Sequence, residues 1–402
     1  MKYILKSLSI TTILVALFAC APQVQKEIAW KHLSSKNGDI TVPNQGNQQT
    51  ATALFDVNKN GINDFFIAER TAAPAVVCYL KTANGWDRYI VEDEALPIEA
   101  GAAWTDIDGD GDTDMVFGGD SSSNNIWWWE NPYPNYDPET PWQRHTIKNS
   151  GSTKHHDQMF VDYNGDGIEA LVFWNQNDRS LYLAEIPANP KQETWQYTAI
   201  YTYSNENEPT QRGSYPDWKG INEHEGLAKI DIDGDGILDI VGGGLWFKHV
   251  GGSTFEANVI DDTYAFSRSA AGDFIKGGRP EVILVAGDGR APLIMYEWQN
   301  EEWIAKILID TVQDGHSIAV LDFNGDGNLD LFNAEMRLGN NPNAVTRILL
   351  GDGMGNFKDT IVHTGFGLHE SRIADLDGDG DYDILGKPYT WEAPRLDIWL
   401  QE

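Results

Sequence analysis

"INEHEGLAKIDIDGDGILDIVGGG", residues 221–244, places Asp231, Asp233, Asp235 and Asp239 within nine positions, with Gly234 and Gly236 between them. Carboxylates this close repel one another unless a cation sits among them. Oxygen ligands at positions 1, 3, 5 and 9 of a glycine-bearing loop describe a cage for a hard ion such as Ca²⁺. A helix–loop–helix calcium site would carry glutamate at position 12, where this chain has Gly242. The flanks alternate instead: Ile230 and Ile232 against Asp231 and Asp233, then Ile240 and Val241. That pattern predicts strands on both sides of the loop.

The loop recurs as DVNKNGIND from Asp56, DIDGDGDTD from Asp106, DYNGDGIEA from Asp162, DFNGDGNLD from Asp322 and DLDGDGDYD from Asp375. A worn copy, GDFIKGGRPEV, keeps Asp273 but not the other acids. Successive starts lie 42 to 69 residues apart, which marks a repeat architecture of seven units. Each unit reads as a strand into the loop, a strand out of it, an aromatic third strand such as IWWWE or LWFKH, and a fourth such as WQRHTI or FEANVI. Seven such units predict an all-β fold, a seven-bladed β-propeller of four-stranded antiparallel blades. The last unit stops at its third strand, DIWLQE, and AWKHLS (29–34) fits the missing fourth. The N-terminal strand is therefore expected to close the last blade and remove an open sheet edge.

These blades resemble the FG-GAP/VCBS repeats of integrin-type and bacterial propellers, over about residues 28–402. The resemblance implies Ca²⁺ in the loops, with full ligand sets at Asp106/Asp108/Asp110/Asp114, Asp231/Asp233/Asp235/Asp239, Asp322/Asn324/Asp326/Asp330 and Asp375/Asp377/Asp379/Asp383. Asp56, Asn58, Asn60 and Asp64 make a less charged set, and Asp162/Asn164/Asp166 loses its last ligand to Ala170. No site is expected at Asp273.

A net charge of −32 speaks against nucleic acid as a partner, because that binding needs a basic footprint. The 15 tryptophans can fill gaps between blades or stack on sugar rings. Residues 1–20 read as an export address: Lys2 and Lys6 precede an apolar run too short to span a bilayer, and LFAC resembles a lipobox ending at Cys20. An ordinary signal peptide cut near Ala21 is the alternative. The expectation is a lipoprotein whose mature chain, 21–402, is one propeller domain held to the outer membrane of a Gram-negative bacterium by the lipid on Cys20. Cys78 then has no internal disulfide partner.

In such blades the links between one unit and the next lie on the face opposite the acidic loops. His156, His316 and His369 each stand six residues before the first loop acid, and His224 stands seven before, an offset read as a one-residue bulge. These four histidines are expected to form a ring at the channel mouth. Arg268, Arg337, Tyr389, Trp246, Lys387, Asp120, Gln176, Asp288 and the neighbours Asp157, Glu225 and Glu370 should reach the same face. A long insert, 204–225, should overhang it. An inherited structural ring, or a non-catalytic Zn²⁺-type site, would use the same histidines.

No GxSxG elbow, HExxH helix or phosphate loop is present. Imidazoles with arginine, lysine and tyrosine suit proton abstraction beside a carbonyl or carboxylate. GHSIAVLDFNGDGNLDLFNAEMR and HESRIADLDGDGDYDILGKPY also resemble the propeller of aldos-2-ulose dehydratase and bacterial propellers of polysaccharide degradation. That likeness implies a carbohydrate lyase or dehydratase, although the cupin half of the fungal enzyme is absent. His156, His224, His316, His369, Arg268, Arg337 and Tyr389 are the expected catalytic groups, and Glu225, Glu370, Trp246, Lys387 and Asp157 the expected substrate contacts. The expected partner is an oligosaccharide or polysaccharide met by a monomer. A glycan-binding calcium propeller and an integrin-like adhesion module stay open as alternatives.

Overall fold

The computed structural model describes residues 28–192, 194–203, 215, 223–338 and 341–402. The leader, Cys20 and most of the 204–225 insert lie outside the described residues. The chain forms seven four-stranded antiparallel sheets in a ring, a β-propeller, with a single 3₁₀ turn at Ser35–Asn37 as helical structure among the described residues.

Each blade follows one plan. Blade 3 runs His155–Val161, Ala170–Asn175, Ser180–Glu185 and Tyr197–Thr202 from the channel outward. The second strand of every blade is buried along its whole length, as in DFFIAE, ALVFWN and EVILVA. These strands lie between neighbouring blades on both faces, so they read as continuous apolar runs rather than alternating ones. Fourth strands such as TFEANV alternate with solvent.

Seven apolar clusters fill the seven gaps between blades. Trp128 and Trp129, consecutive in the third strand of blade 2, point to opposite gaps: Trp129 toward blade 1 and Trp128 toward blade 3. One residue step thus supplies two interfaces.

The N-terminal strand Trp30–Ser34 pairs with Asp397–Gln401 and supplies the fourth strand of blade 7, as expected. His32 donates to Asp397 at 2.8 Å and stacks on Trp399 at 4.7 Å. Closure joins the two ends of the described chain without leaving a sheet edge between blades 7 and 1.

Candidate functional site

Innermost strands converge on the channel, and several begin with a residue in the left-handed region five places before the loop: Gly101 (φ 96°), Asp157 (46°), Gly226 (67°) and Glu370 (52°). A Cβ on Gly101 would stand 2.3 Å from the Cα of Asp157, so the crowding requires glycine there. Asp157 and Glu370 hold the same backbone shape with a side chain, a strain of roughly 1–3 kcal/mol each. What holds them there is Arg268.

Arg268 is buried across the channel. Its Nη2 donates to Asp157 Oδ1 at 2.9 Å and to Glu370 Oε1 at 2.6 Å, while Nη1 lies 3.1 Å from His316 Nδ1. Burial alone would raise the Asp157 and Glu370 carboxyls, but the Arg268 charge outweighs it and holds both well below the usual range. Arg372 adds a second cation to Glu370 at 3.0 Å. This layer separates two cavities, one of about 300 Å³ on the histidine side and one of about 350 Å³ toward the acidic loops. Arg268 is therefore a structural clamp, not the free substrate anchor the sequence suggests.

Above the clamp, His156, Glu225 and His316 form one buried cluster whose ligating atoms lie within 4.8 Å of one another. His156 Nδ1 donates to Asp157 Oδ2 at 2.6 Å, because an ionised carboxylate can only accept. That leaves Nε2 facing Glu225 at 3.9 Å. His316 is held differently: Arg268 Nη1, a donor only, lies 3.1 Å from its Nδ1 and 3.2 Å from its Nε2, while Glu370 and Glu225 each stand 3.4 Å away. A carboxylate behind the imidazole, as Asp157 stands behind His156, is how metal-binding histidines are oriented. Glu225 Oε2 is buried and accepts no hydrogen bond.

Electrostatics follow from the crowding. Burial raises the Glu225 carboxyl to about 8, partly opposed by His156. Burial disfavours a charged His156, yet Glu225 and Asp157 outweigh it and raise that imidazole to about 9. Burial and the Arg268 charge lower His316 to about 4. His369, stacked on His316 at 4.2 Å, is held well below its ordinary value by burial, His316 and Lys387.

The cavity is lined by His156, Glu225, His316, His369 and Tyr389 with Gln176 and Asp288. It also carries Glu223, from the insert expected to overhang it, and Arg70, Glu99 and Lys154, which sequence reasoning missed. Arg70 directly follows the second strand of blade 1, so the rule that selected Gln176 and Asp288 would also have found it. Tyr389 stacks on His369 at 5.0 Å, and its phenolic oxygen accepts from Arg70. Arg70 and Lys154 face Glu99 at 3.3 Å and Glu223 at 2.6 Å.

Other expected members lie elsewhere. His224 is buried between Trp174 and Tyr203, at 5.0 and 4.6 Å between ring centroids, and does not line the cavity. Counting six residues back from Asp231 gives Glu225, which takes the place assigned to an imidazole, so no bulge shifts the register. Arg337 is half-exposed and pairs with Glu392 at 3.4 Å. Trp246 packs between blades 4 and 5. Lys387 is buried and donates to the carbonyls of Gln49, Thr50 and His369 at 3.0 to 3.1 Å, tying blade 7 to blade 1.

The acidic loops stand on the opposite face. In all six, the first aspartate accepts from the amide five residues on, for instance Gly236 to Asp231 at 2.8 Å and Gly380 to Asp375 at 3.0 Å. Three-carboxylate groups able to hold a cation form at Asp106/Asp108/Asp114, Asp231/Asp233/Asp239 and Asp375/Asp377/Asp383. Glu130, not foreseen, joins Asp108 and Asp110.

In the other three loops no three carboxylates gather among the described residues, although ligands were expected there too. The loop of Asp56 differs most from the expected cage. Asn58 and Asn60, named as ligands from the sequence, accept from the loop's own backbone as Asp233 and Asp235 do, but carry no charge. Asn58 Oδ1 accepts from the Asn60 amide at 3.2 Å, and Asn60 Oδ1 accepts from the Ile62 amide at 2.8 Å. Asp56 and Asp64 are the only acids of this loop, Lys59 brings a positive charge, and Asp64 is buried and accepts from two backbone amides. Fewer charged ligands mean weaker calcium binding, so this loop is a weaker candidate cage than those with three gathered carboxylates. In the loops of Asp162 and Asp322, Asn164 and Asn324 donate to Asp166 and Asp326 at 2.9 and 3.0 Å.

The ninth acid does more than face a cation. Asp64, Asp114, Asp330 and Asp383 are fully buried, and each accepts from two backbone amides, as Asp383 does from Leu376 at 2.7 Å and Gln401 at 2.9 Å. Glu281 keeps that role in the worn blade, accepting from Phe274 and Ile275 at 2.9 Å.

Residues 273–332, from the worn loop of blade 5 into blade 6, match the model of the FG-GAP-like repeat family. The chain carries an FG-GAP-like repeat. Solved structures similar to it are propellers at low identity. BBS1N in complex with ARL6DN gives a TM-score of 0.52 at 9% identity, covering 93% of this chain and 97% of that one. AofleA from Arthrobotrys oligospora gives 0.45 at 11% identity, covering 83% and 89%. These likenesses speak to fold alone, and no curated protein matches the chain.

Proposed function

We propose that the histidine-side mouth is the active site of a carbon–oxygen lyase, one that eliminates water or a glycosidic alcohol from a uronic-acid or keto-sugar residue. The observation that carries this reading is the buried His156–Glu225–His316 cluster, backed by Asp157 and Glu370 and opening on a polar cavity. Two imidazoles and a carboxylate whose Oε2 accepts no hydrogen bond are a donor set for a Zn²⁺-like ion, with the Arg268 guanidinium 3.7 Å from that oxygen. When bound, such an ion withdraws charge from a carbonyl or carboxylate oxygen and makes the neighbouring C–H acidic.

The chain's own groups do the rest. Arg70 and Lys154 at the cavity wall, each paired with a wall carboxylate, offer their remaining N–H donors to orient the anionic sugar. His369, kept neutral by burial, His316 and Lys387, accepts the proton from carbon. Tyr389, held by Arg70, hands its proton to the departing oxygen. A C–H and a C–O bond break and a C=C bond forms, with no net oxidation.

The acidic loops are read as Ca²⁺ seats that serve stability, in an exported chain anchored through Cys20. Product analysis tests the activity. The zinc-loaded protein, given uronate oligosaccharides and keto-sugars, should yield an unsaturated chromophore or the loss of one water, and His369→Ala and Tyr389→Phe should cut the rate roughly 10²–10⁴-fold. Tight oligosaccharide binding with no altered product would favour a glycan-binding propeller instead.

A further inference from the structure

Blade 5 has lost its cation cage, and its worn loop presents something else. Gly277 and Gly278, with φ of 91° and 103°, turn the chain so that Arg279 projects between blades 4 and 5. The Arg279 guanidinium lies 4.6 Å over the Trp298 ring and 6.0 Å from that of Trp246. Trp298 pairs across the outer hairpin with Trp303, edge to face at 5.3 Å. Together with Lys248, Glu256, Asn258 and Val259 they enclose a groove of about 330 Å³. Asp233 of the blade 4 loop also lines it, so the groove lies toward the acidic-loop face, away from the histidine cavity.

The charges are unequally used. Lys248 is bonded to Asp233 and Asp235. Among the described residues no carboxylate pairs with Arg279 and no hydrogen bond holds its guanidinium. Stacking on indole leaves the edge of the guanidinium, with its N–H donors, directed outward. Trp298 and Trp303 are half-buried, giving large rigid surfaces at little entropic cost, and Val259 beside them is 53% exposed. Aromatic faces suit the C–H face of a pyranose ring, Asn258 and Glu256 suit its hydroxyls, and the free guanidinium suits a carboxylate bidentately.

We propose that this groove is a second, non-catalytic saccharide site, specific for uronate residues, which holds the polymer away from the mouth. The proposal rests on the reading of the substrate as an acidic glycan. Trp303 supplies the platform and Arg279 the charge selection.

The test uses the full chain carrying His316→Ala, which disables the mouth. Galacturonate, mannuronate and guluronate tetramers, with neutral cellotetraose as reference, are titrated against tryptophan fluorescence. At least one uronate tetramer should bind this protein more tightly than cellotetraose does. Adding Trp303→Ala or Arg279→Gln should weaken that binding roughly tenfold or more. In the wild-type background the same two changes should leave turnover of a disaccharide unaltered. Thermal unfolding confirms that each variant is folded, and Arg279→Gln, at a half-exposed side chain, keeps the test valid should Trp303→Ala fail to fold. Binding that is indifferent to both changes overturns the proposal. So does the absence of tetramer binding once the mouth is disabled; if the wild type still binds and turns over sugar, the mouth stands and this groove does not.

Discussion

The two faces of the disc use the same chemistry, carboxylates crowded together, in opposite ways. On the loop face each cage comes from nine consecutive residues, its first acids mostly half-buried at the surface and pre-set by amides a few positions away. At the mouth, Asp157, Glu225 and Glu370 come from different blades, are all buried, and meet one arginine 111 and 102 residues from Asp157 and Glu370. A local cage tolerates loss of one member because water can replace it. A buried cluster does not, because an unpaired charge there has no solvent to turn to.

The largest effect expected from that contrast is at Arg268. Arg268→Met should cost about 3–5 kcal/mol in urea unfolding, since it removes the cation that two buried carboxylates share. A loss below about 1 kcal/mol would mean that water reaches the clamp and that the contrast between faces is wrong.

Next in size is a comparison inside one loop. Asp383→Ala should cost about 1–3 kcal/mol even in chelator, because two buried amides lose their acceptor. Asp379→Ala, at an outer position, should leave stability in chelator unchanged and reduce only the gain on adding calcium. Equal behaviour of the two would erase the division between the buried ninth acid and the outer ligands.

A pH effect is expected at Lys387, which burial lowers to about 7 from its ordinary 10.5. Between those values the unfolded chain binds a proton that the folded chain has released, so stability should rise with pH through this window. Lys387→Met should flatten the rise, as read by urea midpoints at pH 7, 8.5 and 10. The smallest effect is at Arg337, whose part-exposed pair with Glu392 should contribute under about 1 kcal/mol. Arg337→Ala should alter neither stability nor any turnover.

These differences in locality also explain what was legible. The loops, the seven blades and the closing strand at Trp30–Ser34 are encoded by residues near one another or by a repeated pattern, and reading along the chain recovers them. Spacing alone does not say which loops gather three carboxylates: among the described residues, Asp322, Asp326 and Asp330 do not. His156, His316 and His369 were legible because the repeat fixes their offset. The role of Glu225 was not, because the eye follows the His224–Glu225 and His369–Glu370 likeness rather than the count. Arg268 looks like an anchor in sequence. Only the meeting of blades 3, 5 and 7 reveals its two carboxylate partners. Trp246 faces a gap between blades, which one residue of strand register decides.

Zinc titration by calorimetry, in calcium-saturated buffer, tests the assignment of the buried cluster most directly. Wild type should bind one zinc ion that Glu225→Gln and His316→Ala each abolish or weaken at least roughly tenfold, while Asp233→Ala and His224→Phe retain it. Zinc binding that survives loss of Glu225 and His316 but disappears with Asp233 would contradict the account, placing the ion on the loop face and leaving the mouth without a metal.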